Sequence, residues 1–316
     1  MKRKKFQQKM MKNGIAHYWI QMNPFLFFSL FLTSWFALDF KDPILQYAWY
    51  GALIISWLGM EWIRYYSNQP LPKPFLLHVE GNIGSGKSTF LKLLKETYGN
   101  RIEIIYEPVS IWQQLKDSNG KDILDYFYTD MSRWAYTMQN YVFITRVLSL
   151  LPKSETKEQK ERQRTLRVAE RSIYTDYHIF ASMCYENGKM NELENQIYQT
   201  WFKALENEYL DVVKPDAILY LKTHPEIALS RMQKRGREEE KTVELDYLTR
   251  LSLRHDEMMQ KMDCPVFIMD ANQDFEEDDT MKKDMFHQFH MFLKQFEWDD
   301  KKQEWICKAP GQMFRN

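Results

Sequence analysis

The stretch at residues 75–94 constrains the fold most strongly. An apolar run at residues 75–79 precedes Gly81-x-x-x-x-Gly86-Lys87-Ser88, which matches the P-loop pattern at every fixed position. Apolar residues then recur at positions 90, 91, 93 and 94, the spacing of one face of a helix. The loop is therefore predicted to connect a buried strand to a helix, which is the context that a phosphate-binding P-loop needs.

The loop carries the residue types that bind a nucleoside triphosphate. Its glycines let the backbone curl with N–H groups pointing inward, and the helix N-terminus adds positive potential. Lys87 is expected to reach the β- and γ-phosphates, and the Ser88 hydroxyl is expected to face Mg²⁺. The alternative, a Gly-rich turn without a ligand, is disfavoured by both flanks. The predicted loop residues for ATP, or another nucleoside triphosphate, are Gly81, Gly84, Gly86, Lys87, Ser88 and Thr89.

Composition narrows the class of protein. The 316 residues leave room for one large or two small domains. The 43 basic and 43 acidic residues balance, which gives no indication of a nucleic-acid partner. Three widely spaced cysteines fit a reducing compartment better than a disulfide framework or a zinc site.

The first 66 residues differ sharply from the rest of the chain. Residues 1–12 carry six Lys or Arg, whereas residues 13–38 and 44–60 carry no charged side chain. Each uncharged run approaches the roughly 20 residues that cross a bilayer. We predict a basic N-terminus followed by a transmembrane helical hairpin that turns at residues 39–43. The alternatives are a cleaved signal peptide, and one span followed by an interfacial helix.

Charge placement predicts how this hairpin is oriented. Both of its ends would lie on one side of the bilayer, and basic residues cluster at those ends. The positive-inside rule then places the N-terminus and the following domain in the cytosol or the mitochondrial matrix. The Pro-rich stretch at residues 67–74 is predicted to be a stiff linker and the domain boundary.

Beyond the linker, strand-like runs alternate with helical patterns. This alternation predicts an α/β fold with a parallel sheet flanked by helices. Glu107 follows the second strand, at the sheet edge where ligands bind in open α/β folds. The predicted strands are 75–79, 102–106, 166–169, 217–221 and 265–269, and the predicted helices include 124–151, 191–210 and 280–296.

Several motifs together resemble one family. They are Gly81–Ser88, Glu107-Pro108-Val109 with Trp112, Arg133-Trp134 through Gln139, Glu170-Arg171-Ser172 with Asp176, and the arginines of 231–237. Their order is similar to that in deoxynucleoside kinases of the deoxycytidine and deoxyguanosine branch, which have a P-loop kinase fold. The resemblance covers a kinase-like domain at 75–296 and leaves a C-terminal tail at 297–316. The family also contains a kinase-like accessory subunit of mitochondrial respiratory complex I.

The resemblance implies transfer of the ATP γ-phosphoryl group to a deoxynucleoside 5′-hydroxyl. Glu107 resembles the general base of the family, and Arg171 and Lys87 the cations at the reacting phosphates. Glu170 is expected near Mg²⁺ together with Ser88. The alternatives without a catalytic role are that Glu107 is a surface glutamate at a strand end, and that Glu170 and Arg171 form a structural ion pair.

The resemblance also implies a lid and an adenine loop. Arg231, Arg235 and Arg237 resemble the lid arginines that close over the phosphates, and Gly236 favours a mobile loop there. Arginines on a solvated helix are the alternative. Asp274-Phe275 matches the loop that contacts the adenine of ATP.

For the nucleoside, the implied residues are Trp112, Tyr128, Gln139, Arg146, Asp176 and Glu240. Gln139 offers one donor and one acceptor to a base edge. An Arg146–Asp176 pair is typical of family members that accept cytosine or purines rather than thymine. Tyr177 and Arg167 depart from the family pattern.

Two functions of different classes follow. One is a membrane-anchored deoxynucleoside kinase. The other is a nucleotide-binding accessory subunit of respiratory complex I with little or no turnover, in the mitochondrial inner membrane with its kinase domain in the matrix. If the protein is not mitochondrial, we expect it to be anchored in another membrane with its kinase domain facing the cytosol. The expected partners are a nucleotide, a deoxynucleoside, the lipid bilayer and a large membrane protein complex.

Overall fold

The computed structural model describes residues 74–151, 166–237, 240–241, 243–299 and 304–308. The predicted membrane hairpin and the charged stretch at 152–165 lie outside these residues. None of the helices in the described part of the chain is long and apolar enough to cross a bilayer.

A five-stranded parallel sheet forms the centre of the fold, as predicted. The strands are β1 (Phe75–Glu80), β2 (Ile102–Ile105), β3 (Leu166–Glu170), β4 (Ala217–Lys222) and β5 (Val266–Asp270). Their order is β2-β3-β1-β4-β5, and all pairs are parallel. Every residue of β1 is buried, which is typical of a central strand covered on both faces. The carboxyl ends of β1, β2 and β3 therefore share one edge.

Helices connect the strands. They are α1 (Lys87–Tyr98), α2 (Val109–Gln114), α3 (Ile123–Thr129), α4 (Met131–Leu150), α5 (Ile173–Thr175), α6 (Ser182–Glu186), α7 (Glu192–Glu208), α8 (Leu210–Val213), α9 (Pro225–Arg235), α10 (Leu245–Lys261) and α11 (Asp279–Leu293). A π-helical stretch, Asp176–Ala181, continues α5 into α6.

The two faces of β1 pack against different helices because side chains alternate along a strand. Phe75, Leu77 and Val79 join a core with residues of α1 and α11. Leu76 points to the other face and packs with residues of α4 and α7. His78 and Glu80 share the face of Leu76.

The predicted helix at 124–151 is in fact two helices. Asp130 lies between α3 and α4, and its carboxylate accepts the backbone N–H of Arg133 at 3.2 Å. A short side chain that bonds the local backbone in this way favours a helix start over helix continuation. The predicted helix at 191–210 likewise ends at Glu208 and resumes as the short α8.

Arg167, which interrupts an apolar strand, has a structural explanation. Its guanidinium donates to the carbonyl oxygen of Leu150 at 2.9 Å and to the carboxylate of Glu103 at 3.1 Å. The side chain thus binds a carbonyl at the end of α4, where helical carbonyls lack intrahelical partners.

A hairpin follows the last helix and was not predicted. It consists of β6 (Phe296–Asp299) and β7 (Glu304–Cys307), which pair antiparallel. The ring of Phe75 lies 4.8 Å from that of Phe296 and 5.3 Å from that of Trp305. Packed structure therefore extends beyond residue 296 and contacts the first residue of β1.

Candidate active site

Glycines set the shape of the loop after β1. Gly84 and Gly86 have φ values of 76° and 89°, a region that side chains with a Cβ rarely adopt. A Cβ at Gly84 would overlap the carbonyl oxygen of Ala228 on α9, and one at Gly86 would lie 2.6 Å from the Phe275 ring. The loop thus needs glycine both for its conformation and for its close packing.

Lys87 lies inside this loop. Its ammonium donates to the carbonyl oxygens of Gly81 at 3.0 Å and Asn82 at 2.6 Å. Burial, reinforced by the positive charge of Arg171, lowers the pKa of Lys87 to about 7. The loop therefore surrounds a cation that a phosphate group would stabilise.

Ser88 and Glu170 form the pair that was predicted to bind Mg²⁺. The Ser88 hydroxyl donates to Glu170 at 2.7 Å, although the two residues come from different segments of the chain. A hydroxyl and a carboxylate are the hard oxygen ligands that Mg²⁺ prefers, completed by water and substrate phosphates. Within the described ranges, no group of three or more His, Cys, Asp or Glu forms a cation site. The pair fits an ion held mainly by phosphates.

Glu107 lies between two arginines. Arg171 donates through one nitrogen to both carboxylate oxygens, at 2.9 and 2.8 Å, and Arg146 donates at 2.8 Å. Burial by itself would raise the pKa of Glu107, but the two guanidinium groups outweigh it and lower the pKa to about 2. Glu107 is therefore held as a carboxylate.

The predicted contact between Arg146 and Asp176 is present. The guanidinium donates to the two carboxylate oxygens at 2.6 and 3.0 Å, and a third bond reaches the carbonyl oxygen of Glu170 at 2.8 Å. Arg146 on α4 therefore links Glu107, two residues beyond β2, to the end of β3 and to the start of the π-helical stretch.

A cavity of about 390 Å³ joins the P-loop to this cluster. It lies at the carboxyl edge of the sheet, where open α/β folds bind ligands. The predicted site residues that line it are Gly84, Gly86, Lys87, Ser88, Thr89, Glu107, Trp112, Tyr128, Gln139, Arg146, Glu170, Arg171, Asp176, Arg235, Arg237 and Glu240.

Gln139, which also lines the cavity, is buried at 4% exposure, and its side-chain oxygen has no hydrogen-bond partner among the described residues. The ring of Trp112, another lining residue, is fixed because its indole N–H donates to Thr145 at 2.9 Å, and that hydroxyl in turn donates to the carbonyl of Tyr141. A buried amide oxygen of this kind and a fixed aromatic ring in one cavity suit a planar polar base.

Two of the predicted lid arginines line the cavity and one does not. Arg235 donates to both oxygens of Glu240, at 2.7 and 2.6 Å, and Arg237 donates to Glu240 at 3.4 Å. Arg231 does not line the cavity and instead donates to the carbonyl oxygens of Ala271, Asn272 and Gln273.

The prediction of a mobile loop at 231–237 is wrong for its first part. Arg231 and Arg235 belong to α9, and Gly236 ends that helix in a left-handed conformation with φ 67°. Glycine at this position is a common helix C-cap because it lacks a Cβ, so it does not by itself indicate a loop.

Asp274 and Phe275 do not line the cavity. The Asp274 carboxylate accepts the backbone N–H of Glu276 at 3.0 Å, and Phe275 packs under Gly86 and edge-on to Phe90. Tyr247 of α10 does line the cavity, although it was not predicted. A tyrosine on an amphipathic helix gives no sequence signal that separates a ligand wall from a core position.

Comparisons with known proteins agree with this geometry. The sequence profile of the deoxynucleoside kinase family matches residues 77–294. The chain is 34% identical to deoxycytidine kinase 2 of Gallus gallus, over 69% of this chain and 89% of that protein. It is 33% identical to deoxycytidine kinase of Homo sapiens, over 64% and 85% of the two chains. It is 32% identical to the mitochondrial deoxyguanosine kinase of Xenopus laevis, over 69% and 89%.

The profile covers more than half of the chain, and it ends close to the last residue of α11. Both the P-loop cavity and the Glu107 cluster lie inside the matched region. The chain therefore belongs to the deoxynucleoside kinase family.

Proposed function

We propose that this protein transfers the γ-phosphoryl group of ATP to the 5′-hydroxyl of a deoxynucleoside. One observation carries the proposal: a carboxylate, Glu107, is held by two arginines in the same cavity as a P-loop lysine and a buried glutamine whose side-chain oxygen has no hydrogen-bond partner among the described residues. The cavity thus combines a phosphate-binding end with a base-binding end. The activities named for the relatives support the proposal.

Phosphoryl transfer asks the protein mainly for positioning and charge neutralisation. Amides of the P-loop, together with Lys87, bind the phosphates of ATP. Ser88 and Glu170 would hold Mg²⁺, which would supply charge neutralisation at those phosphates. Arg171 lies between the two ends, with its guanidinium 2.8 Å from Glu107. It is placed to stabilise the charge that develops on the transferred group.

Glu107 accepts a hydrogen bond from the 5′-hydroxyl in this proposal. Its low pKa keeps it ionised at any physiological pH. A weak base suffices because the loose transition state of phosphoryl transfer requires an oriented hydroxyl more than a fully deprotonated one. The arginines fix the carboxylate, and hence the line of attack.

The base end favours deoxycytidine or a purine deoxynucleoside over thymidine. Arg146 and Asp176 are 2% and 1% exposed, and they lie in the cavity with Gln139. These polar groups suit a base with complementary donors and acceptors. The 5-methyl group of thymine needs apolar room there instead. Tyr128 and Glu240 are proposed to hold the sugar 3′-hydroxyl.

A radiometric assay with γ-labelled ATP and each of four deoxynucleosides tests the activity. We expect a labelled 5′-monophosphate from the wild-type protein, and a loss of kcat on the order of 100-fold or more for Glu107→Gln, since the amide cannot accept the proton. Glu103→Gln, an exposed carboxylate on β2, is the matched control and should retain activity. Equal activity of the Glu107→Gln protein would refute the assigned role.

Membrane anchoring is a second part of the proposal. The uncharged runs at 13–38 and 44–60 and the basic residues before them support a hairpin, with the kinase domain in the mitochondrial matrix or cytosol. Fractionation of the native protein tests it: alkaline carbonate should leave the protein in the membrane pellet. Release into the supernatant would contradict an embedded hairpin.

One alternative function is an accessory subunit of respiratory complex I with little turnover, which the same uncharged runs would anchor in the mitochondrial inner membrane. The two functions are compatible in one protein. Mild detergent extraction followed by native electrophoresis separates them: migration with a large respiratory complex supports the subunit, and migration alone with full kinase activity contradicts it.

A further inference from the structure

Two polar side chains of β1 have no part in the reaction described above. His78 and Glu80 lie two residues apart and therefore point to the same face of the central strand. Both are fully buried, at 0% exposure. Buried polar groups are costly unless they are hydrogen-bonded, so their contacts are informative.

Both side chains bond to the backbone of one turn. The Nδ1 atom of His78 lies 2.8 Å from the carbonyl oxygen of Arg171. The backbone N–H of Ser172 donates to Glu80 at 2.8 Å. Between these two bonds, the backbone N–H of Arg171 donates to the carbonyl oxygen of Val79 at 3.0 Å. Three consecutive residues of β1 therefore hold the turn that follows β3.

This turn contains a strained residue. Arg171 has φ 59°, and it is the only residue other than glycine with a positive φ in the described part of the chain. A residue with a Cβ persists in this conformation only where its surroundings hold it, and such residues cluster at functional sites. In this turn, the guanidinium of Arg171 donates to the carboxylate of Glu107. It also lies 5.2 Å from the centre of the Phe180 ring.

The protonation state of His78 fits a hydrogen-bond donor. Burial lowers the pKa of His78 to about 4, so the ring is neutral at physiological pH. A neutral ring carries one proton, and a carbonyl oxygen can only accept. The backbone of Val213 also interacts with the ring, but Nε2 has no partner within hydrogen-bond distance among the described residues. The 2.8 Å contact with the carbonyl oxygen of Arg171 therefore favours the tautomer with the proton on Nδ1.

We propose that His78 and Glu80 are positioning residues for phosphoryl transfer, which hold the left-handed turn so that Arg171 lies at Glu107. The inference rests on the proposed function, because it concerns the same site. It assigns a role to two side chains that do not line the cavity and touch neither substrate. Their effect on catalysis passes entirely through Arg171.

Matched variants at His78 test the proposal. Leucine and asparagine have the same branched shape, but only asparagine places an N–H donor where Nδ1 lies. We expect His78→Leu to lower kcat by about 10- to 100-fold with little change in KM for ATP or deoxynucleoside, because the misplaced group acts in the transition state. His78→Asn should recover most of that loss.

A double-mutant cycle shows whether the effect passes through Arg171. In an Arg171→Ala background, His78→Leu should change kcat by less than about twofold, since the group that it positions is gone. Equal effects of His78→Leu in both backgrounds, or a folded His78→Asn protein as impaired as the leucine variant, would overturn the proposal. The His78→Asn arm remains decisive where the leucine variant does not fold.

A measurement on the wild-type protein keeps this inference separate from the proposed function. Nitrogen-15 NMR of the histidine rings reports the tautomer without any turnover. We expect His78 to remain the neutral Nδ1–H tautomer from about pH 6 to about pH 8. An Nε2–H tautomer would overturn the positioning role even in an active enzyme. Absence of turnover with the Nδ1–H tautomer intact would instead contradict the proposed kinase activity.

Discussion

Lys87 is an ammonium group in a place that disfavours positive charge. Burial and the neighbouring Arg171 lower its pKa to about 7, and its hydrogen bonds go to loop carbonyls. Phosphate oxygens nearby would favour the charged form and raise the pKa again. ATP binding and protonation of Lys87 are therefore linked.

This linkage gives a prediction with a defined sign. Above about pH 7 the free protein has lost the Lys87 proton, and bound phosphates restore it, so ATP binding at about pH 8.5 should take up close to one proton. At about pH 5.5 the proton is already present and uptake should vanish. Calorimetry in two buffers of different ionisation enthalpy measures the uptake.

Lys87→Arg is the matched control, because a guanidinium stays charged at every pH used. The Lys87→Arg protein should bind ATP without taking up a proton at position 87. A binding enthalpy of the wild-type protein that does not depend on the buffer at about pH 8.5 would contradict the linkage.

Residue-level prediction succeeded where a motif fixes the geometry. The pairing of Arg146 with Asp176 followed from the family resemblance, and both side chains line the cavity. The contact of Arg146 with Glu107 was not predicted, because the two residues lie 39 positions apart and only the folded chain brings them together. Arg231 shows the opposite case: its position in a motif does not reveal the carbonyl oxygens that it binds.

Among the elements, the contact between the P-loop and α9 is the tightest at the site. Gly84 has φ 76° and approaches the carbonyl of Ala228 so closely that no Cβ fits. Gly188 has a similar φ of 67°, yet nothing lies within 4 Å of its Cβ position. A side chain at Gly188 would therefore meet only the backbone strain of a positive φ, whereas a side chain at Gly84 would meet that strain and a steric overlap as well.

Alanine at these two positions should have different effects. Both variants pay the left-handed penalty of about 1–2 kcal/mol. Gly84→Ala should in addition push the loop from α9 and weaken ATP binding by more than about 10-fold, whereas Gly188→Ala should bind ATP normally. Thermal melting and ATP titration measure the two effects. Equal ATP affinities of the two variants would contradict the close-packing argument.

Elements were predictable where the chain has one dominant signal. The five strands are short apolar runs between polar stretches, and each was predicted to within about one residue. The split at Asp130 depends on a single side-chain bond that periodicity does not reveal. The β6–β7 hairpin was missed because its stability comes from packing on Phe75, which is far away in the sequence.

At the scale of the whole molecule, the chain combines two kinds of sequence. The kinase domain has a described cavity with charged groups paired across four segments of the chain. The first 66 residues carry the uncharged runs from which we infer a membrane hairpin, and they lie outside the described residues. The proposed membrane anchor therefore has to be tested by fractionation. The proposed phosphoryl transfer is supported by the residues that line the cavity.

Substrate choice tests the central claim most directly. The ratio of kcat/KM for deoxycytidine or a purine deoxynucleoside to that for thymidine should be measured for the wild-type protein and for Arg146→Met/Asp176→Ala. Removing both partners of a buried pair is less damaging than removing one, because no charge is left unpaired. The hydroxyl of Ser149 on α4 donates to the carbonyl oxygen of Arg146 at 2.7 Å, so Ser149→Ala offers a control.

The account predicts that the wild-type protein phosphorylates deoxycytidine or a purine deoxynucleoside in preference to thymidine. It predicts that the double variant shifts the ratio toward thymidine by about 10-fold or more, and that the Ser149→Ala control leaves the ratio unchanged. Preference for thymidine by the wild-type protein, or no turnover of any deoxynucleoside despite bound ATP, would contradict it.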